Sequence, residues 1–207
     1  MTWFESGSGR ALLEFERSLA LAAIQRRPAQ PWLWLAPAAA GLPSAAELPG
    51  PGICLLANGN GSHQGDVRCR WPLPVPAATL QTLVVQHAVS LGVEEFAAEC
   101  ARVLAPGGRL WLFSMSPCSP QRLRRRQLPG PLPPLWRWRR AMQQAGLYCP
   151  LGSESYLGPI WRGSAAHWRS GGFPMRMACL LEVEKRAGAP VQPVPATVHW
   201  RQPVATI

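Results

Sequence analysis

The sequence has no uninterrupted apolar run long enough to cross a bilayer, although hydrophobic residues make up 47% of its 207 residues. Its first 17 residues contain three glutamates and lack the basic start and apolar stretch of a secretory signal. We therefore expect a cytoplasmic protein without a transmembrane segment. The length suits one domain with a substantial core.

Closely spaced cysteine pairs are also missing. The six cysteines are scattered, no Cys-x-x-Cys occurs, and the four histidines do not cluster with them. Because zinc sites usually need ligands at short spacing, the sequence predicts no metal site. The cysteines are expected to be mostly buried free thiols.

Lysine is almost absent: one lysine stands against twenty arginines, and the formal net charge is +10. Residues 1–118 contain eight arginines and eight acidic residues, which cancel. Residues 119–207 contain thirteen basic and three acidic residues, so this part of the chain carries the whole excess. A basic excess of this kind points either to an anionic partner or to a solvated arginine-rich rim.

The apolar pattern predicts strands separated by helices. Strands are expected over 32–36, 52–58, 79–86, 109–115 and 175–184, with a brief one over 66–71, and helices over 4–26, 93–104 and 135–147. Glu16 is assigned to the polar side of the first helix, and 37–48 to a loop with a short helix. The succession of a helix, a Pro-Gly-Gly turn and a buried strand over 93–115 is typical of a parallel sheet. The fold class predicted is α/β, doubly wound, with a mostly parallel sheet.

One ordered set of motifs resembles a known family. The run from Trp71 to Pro117 contains Leu73-Pro74, a strand-like segment ending in Val-Val-Gln-His, an acidic helix and Arg-Val-Leu-Ala-Pro-Gly-Gly, in that order. The N-terminal Trp-Phe and the Lys-Arg-Ala-Gly at 185–188 extend the match. Together they resemble bacterial class I S-adenosylmethionine-dependent methyltransferases of the broad type 11 kind.

The resemblance implies a Rossmann-like fold that binds S-adenosylmethionine beyond the carboxyl ends of its strands. The turn after the first strand would meet the methionine part, and the end of the second strand would meet the ribose. Transfer of the methyl group would depend largely on positioning. The residues implied at the cofactor cleft are Leu35, Ala36, Ala38, Asn58, Leu73, Gln86 and His87.

The chain departs from the family pattern at four cofactor-facing places. The first strand leads into Pro37-Ala38-Ala39-Ala40 where the family has a glycine-rich turn, and alanine does not adopt positive φ cheaply. Asn58 stands where a carboxylate is usual, so it can bond to hydroxyls only as a neutral partner. Arg70-Trp71 and Gln81 occupy two further positions where the family has aspartate. The cofactor motifs are therefore degenerate.

His87 is the candidate catalytic residue. It follows the predicted strand 79–86, where it could orient an acceptor or take its proton. The alternative is a polar residue that caps the turn into the next helix. The sequence does not decide between the two roles.

A basic, tryptophan-containing segment follows Pro117. Its arginines are interleaved with Trp136 and Trp138, which suits RNA, DNA or an anionic membrane surface. The alternative is a solvated rim over buried tryptophans. The arginines concerned are Arg122, Arg124, Arg125, Arg126, Arg137, Arg139 and Arg140.

The sequence thus predicts one methyltransferase-like domain over 1–186, with a basic insert at 119–175 and an irregular tail at 187–207. Two functions are compatible with it. The first is a methyltransferase using S-adenosylmethionine on an unknown acceptor, with impaired catalysis where its motifs are eroded. The second is a non-catalytic module of the same fold that presents a basic face to nucleic acid, an anionic membrane or a protein.

Overall fold

The computed structural model describes residues 3–44, 46–58, 61–119, 133–158, 170–171 and 174–186. Its helices are α1 (Gly7–Ile24), α2 (Val93–Val103) and α3 (Leu135–Gln144), and a 3-10 turn at Trp3–Glu5 precedes α1. Its strands are β1 (Trp32–Pro37), β2 (Gly52–Ala57), β3 (Ser62–Gly65), β4 (Cys69–Arg70), β5 (Leu80–Gln86), β6 (Leu104–Met115), β7 (Glu154–Leu157), β8 (Ser170–Gly171) and β9 (Ala178–Glu184). None of these helices is long and apolar enough to span a membrane.

The strands form one sheet in the order β4-β3-β2-β1-β5-β6-β9-β7-β8. Strands β2, β1, β5 and β6 are parallel neighbours at its centre, which confirms the predicted α/β fold. Both flanks are antiparallel: β3 pairs with β2 and β4 with β3 on one side, and β9 pairs with β6 and β7 with β9 on the other. The sheet is therefore mixed, with a parallel centre.

The side chains of the central strands alternate between the two faces of the sheet, and each face is covered by an apolar layer. On one face, Trp32 and Trp34 of β1 pack with the apolar side of α1. On the other face, Leu33 and Leu35 pack with residues of α2 and α3. This alternation places helices on both faces of the sheet, as a doubly wound fold requires.

Helix α1 begins at a side-chain cap. The Ser6 hydroxyl accepts a hydrogen bond from the Gly9 amide at 3.2 Å, which satisfies one of the free N–H groups of the first turn. The assignment of Glu16 to the polar side of this helix was wrong. Glu16 is fully buried, because it follows Leu12 and Leu13 by one helical turn and shares their sheet-facing side.

Three other expectations need correction. Residues 38–44 and 46–51 form turns and bends, without the short helix predicted there. The segment 62–70 holds two short strands, β3 and β4, in place of one strand over 66–71. Pro106-Gly107-Gly108 is part of β6 and not a turn between helix and strand: α2 ends at Val103, and the Gly107 amide donates to the Lys185 carbonyl at 2.6 Å.

The six cysteines are free thiols, and four of them are buried: Cys54, Cys100, Cys149 and Cys179. Burial raises the pKa of Cys179 to about 12 and that of Cys54 to about 11. Both thiols therefore stay protonated at neutral pH and act as small apolar side chains.

The segment after β4 is tied to α2 by an ion pair. The Arg102 guanidinium lies 2.7 Å from the Glu99 carboxylate and also donates to the carbonyls of Leu73 and Val75. Glu99 in turn accepts from the Leu73 amide at 2.7 Å. These bonds fix Leu73 in the core against α2.

Stability should fall in acid as Glu99 gains a proton. Burial would raise the pKa of Glu99, but the hydrogen bonds from Arg102 and the Leu73 amide together hold it below its ordinary value of 4.5. A folded pKa below the unfolded one contributes stability above the unfolded value, and that contribution is lost as pH falls through the folded value. Urea unfolding of Glu99→Gln should show a weaker pH dependence below pH 4.5 than the wild type. Identical pH profiles would contradict this assignment.

Candidate functional site

The carboxyl ends of three parallel strands meet at one edge of the sheet. Pro37, which ends β1, is paired with Ala57, which ends β2. On the other side of β1, Leu35 is paired with Val85, one residue before the end of β5. In open α/β sheets, ligands bind in the crevice beyond such ends.

The turn after β1 is closed on itself. The Ala40 amide donates to the Pro37 carbonyl at 2.9 Å, and Ala39 and Ala40 pack against the α1 side of the core. Ala38 is exposed at the tip of this turn. The alanine methyl groups therefore lie where a glycine turn would leave room for a ligand to approach the backbone.

Two predicted residues at the end of β5 meet in a buried polar cluster. The Gln86 side chain accepts from the Trp34 indole at 2.9 Å and donates to the Leu13 carbonyl at 3.1 Å and to Glu16 at 3.3 Å. His87 Nε2 lies 2.8 Å from the other carboxylate oxygen of Glu16. Glu16 thus joins both residues to α1.

The N-terminal turn covers this cluster. The Phe4 ring packs on the His87 ring with centroids 4.8 Å apart, and Trp3 packs on Phe4 at 5.2 Å. The His87 side chain is only 3% exposed as a result. His87 also has a φ of +47°, a strained backbone conformation, and its amide donates to the Phe113 carbonyl at 3.0 Å.

Asn58 lies at the end of β2, in the turn that leads to β3. Its amide donates to the Ser62 carbonyl at 2.8 Å, while its side chain is exposed. It borders a shallow depression of about 380 Å³ whose lining is largely polar: Asn58, Ser62, Gln64, Arg68, Cys69 and Arg70. Among the described residues, no acidic side chain lines this depression.

The remaining predicted cofactor residues are in the protein interior. Leu35 and Ala36 are fully buried within β1, and Leu73 is held against α2. Only Ala38 and Asn58 of the seven predicted residues present an exposed side chain. Contact of any of the seven with a cofactor stays a prediction.

His63 was not singled out by its sequence, yet its environment is unusual. Its ring is fully buried on β3, and neither ring nitrogen has a hydrogen-bond partner among the described residues. Burial lowers the pKa of His63, which favours the neutral ring. Trp71 packs edge-on against it at 5.2 Å and donates to the Ser90 hydroxyl at 2.9 Å. The β3 strand and the loop after β5 therefore lie together beside Asn58.

Three residues of the cluster were not predicted from the sequence: Glu16, Trp34 and Phe4. Of these, Glu16 carries a signal in the sequence. Glu16 is one helical turn beyond Leu12 and Leu13, so it interrupts an apolar helix face. A carboxylate in such a position needs a buried partner. Nothing local identifies that partner as His87, which is far along the chain.

The basic segment is only partly described. Arg122, Arg124, Arg125 and Arg126 lie outside the described residues. Arg139 is half-buried in an ion pair with Glu154, with Nε and Oε1 2.8 Å apart. Arg137 and Arg140 are exposed on α3.

Several solved structures are similar to this architecture. A structural match to a Thermotoga maritima S-adenosylmethionine-dependent methyltransferase, described as a possible histamine N-methyltransferase, covers 84% of this chain and 95% of that one at 11% identity, with a TM-score of 0.52. The YcgJ protein of Bacillus subtilis matches over 84% and 100% at 15% identity, with a TM-score of 0.55. The chain has the class I methyltransferase fold.

A geranyl diphosphate methyltransferase solved with sinefungin and geranyl diphosphate is also similar, over 83% of this chain and 78% of that one, at 11% identity and a TM-score of 0.55. No protein-family model and no curated protein matches the sequence. Because the identities are so low, these structural matches establish the fold alone. The activity has to be argued from the site itself.

Proposed function

We propose that the protein uses S-adenosylmethionine to methylate an acceptor that is not yet identified. The observation that carries this proposal is the adjacency of β2, β1 and β5, whose carboxyl ends form one edge, with the exposed Asn58 at one end and the buried His87 at the other. The fold supports the same location, since ligands bind beyond these ends in open α/β sheets.

The residues at the β2 end fit the nucleoside part of the cofactor. The Asn58 side chain can exchange hydrogen bonds with ribose hydroxyls. His63, fully buried beside Trp71, lies beneath this end and would contact a purine only if Trp71 moved aside. Ala38, after β1, would approach the methionine part. Leu35, Ala36, Leu73 and Gln86 would support this crevice from beneath.

When bound, S-adenosylmethionine supplies an electrophilic methyl group on a sulfonium. The contribution of the chain is positional: Glu16 fixes the His87 ring through Nε2 and therefore its tautomer. In this orientation His87 can hold an acceptor or take its proton. Either role requires Phe4 to leave the His87 ring, because the ring is otherwise buried.

Calorimetric titration with S-adenosylhomocysteine tests the proposal. We expect saturable binding in the wild type and roughly three- to tenfold weaker binding in Asn58→Ala, the loss of one neutral hydrogen bond. Gln143→Ala, which removes an exposed amide from α3, is the matched control and should bind like the wild type. Absence of heat at millimolar ligand would refute cofactor binding.

A second candidate function is a non-catalytic module of the same fold. It is favoured by the filling of the site: the alanine turn is closed, Gln86 has its hydrogen bonds satisfied, and Phe4 covers His87. This candidate predicts normal folding with no response to S-adenosylhomocysteine. The same titration therefore separates the two functions.

Displacing the N-terminal turn should expose His87. A methyl group on Gly9 would lie 2.5 Å from the Trp3 carbonyl oxygen and 2.6 Å from the Phe4 Cα, so residues 3–5 would have to move. Gly9→Ala is expected to increase the rate of His87 modification by diethyl pyrocarbonate, measured by mass spectrometry. Gly7→Ala is the matched control, since a methyl group there meets nothing within 4 Å. Equal rates in both variants would show that the turn does not protect His87.

A further inference from the structure

Helix α3 presents one large aromatic side chain to solvent. Trp136 is 62% exposed, while Leu135, Trp138, Ala141 and Met142 of the same helix are buried. An indole of this size contributes substantial energy when it is covered, so an exposed one on a well-packed helix is a candidate contact point.

Arginines flank this tryptophan. Arg140 follows it by four residues, lies on the same helix face and has no described partner. Arg137 pairs with Glu94 at 3.3 Å, but both side chains are at least half exposed, so the pair is weak. These side chains border a depression of about 280 Å³. Its lining residues are Glu94, Trp136, Arg137, Arg140, Ala141 and Gln144.

The beginning of α3 also suits an anion. Its N-cap is Pro134, no side chain caps its first N–H groups, and its first turn has no acidic residue. The positive end of the helix therefore lies next to Trp136 without a counter-charge from the helix itself. Phosphate would complement both this end and the arginines.

We propose that this face of α3 binds single-stranded nucleic acid, with a base stacked on Trp136 and phosphates held by Arg137, Arg140 and the helix start. Stacking on an aromatic ring beside a basic groove is how single strands are bound without sequence preference. The excess positive charge of residues 119–207 supports an anionic partner.

An anionic membrane fits this face less well. Membrane-surface helices bury a broad apolar face, whereas the exposed side of α3 has one aromatic residue among Arg137, Arg140, Gln143 and Gln144. A single ring is enough to stack on a base. It is too little apolar surface to hold a helix in a bilayer interface.

Fluorescence anisotropy with labelled 12-nucleotide oligo(U) and oligo(dT) tests the proposal. Trp136→Ala should weaken binding roughly tenfold, the loss of one stacked base. Arg140→Ala should weaken binding and lower the slope of log affinity against log salt by about 0.7. Glu94→Gln should tighten binding, because it removes the acid from the depression and frees Arg137.

Matched controls lie elsewhere on the surface. Leu151→Ala removes an apolar side chain that is 94% exposed, and Arg10→Ala removes an exposed arginine of α1, on the opposite face of the sheet. Both should bind like the wild type. Wild-type affinity in Trp136→Ala, or binding to phosphatidylglycerol vesicles without binding to either oligonucleotide, would overturn the proposal. The S-adenosylhomocysteine titration tests other residues, at the ends of β1 and β2, so the failure of one proposal is distinguishable from the failure of the other.

Discussion

Glu16→Ala is expected to lose about 3–5 kcal/mol of unfolding free energy, measured by urea denaturation. Removing one member of a buried polar pair leaves the other buried without a partner, and such losses are of this size. Here the change leaves His87 Nε2 unpartnered and removes one acceptor of the Gln86 amide. Because Glu16 is fully buried, its truncation also leaves a cavity beneath α1.

Two further variants make this expectation specific. Glu14→Ala, on the same helix with a carboxylate that is 64% exposed, should change stability by no more than about 0.5 kcal/mol. Glu16→Gln keeps hydrogen-bonding capacity and should lose less than Glu16→Ala. A Glu16→Ala variant as stable as Glu14→Ala would contradict the proposed anchoring of β5 to α1.

Phe96→Ala is expected to lose about 3–5 kcal/mol, the usual cost of truncating a buried phenylalanine. Its ring is fully buried on α2 and packs edge-on against Trp71 at 5.7 Å and Trp138 at 5.5 Å. It therefore joins the segment after β4 to α3 through one contact chain. Urea denaturation with Leu151→Ala as the exposed control measures the loss. Equal stability of the two variants would show that this aromatic chain does not support the fold.

The parallel centre of the sheet could be predicted from sequence because its strands are short, continuous apolar runs. Val84 and Val85 of β5 and the tryptophan-leucine pattern of β1 are typical of strands covered on both faces. The β3 strand escaped prediction, since Ser62–Gly65 is polar and shows no alternating apolar pattern. It exists because the turn after Asn58 returns the chain to the edge of β2.

The boundary between α2 and β6 shows tertiary pairing overriding a local signal. Pro-Gly-Gly favours a turn, but Leu104 pairs with Leu80 and the Gly107 amide pairs with the Lys185 carbonyl. The glycine accommodates this pairing with a φ of +79°. Local sequence propensity does not reveal these partners, because they are distant along the chain.

At the site, the sequence predicted where residues lie along the strands but not whether their side chains are exposed. The sequence placed Gln86 and His87 together at the end of β5, where the structure has them. It did not reveal that α1 and Phe4 cover both residues, because burial there depends on packing between distant segments. The alanines after β1 could be read directly, since their identity alone determines what the turn leaves open.

Hydrogen–deuterium exchange with and without S-adenosylhomocysteine tests the central claim most directly, because it locates the ligand as well as detecting it. Ala38 is exposed in the turn after β1 and Asn58 in the turn after β2, so a ligand bound there would slow exchange of the amides around them. We predict slower exchange in these two turns, which adjoin the ends of β1 and β2. Protection confined to other parts of the chain, or none at saturating ligand, would contradict a cofactor site at this edge of the sheet.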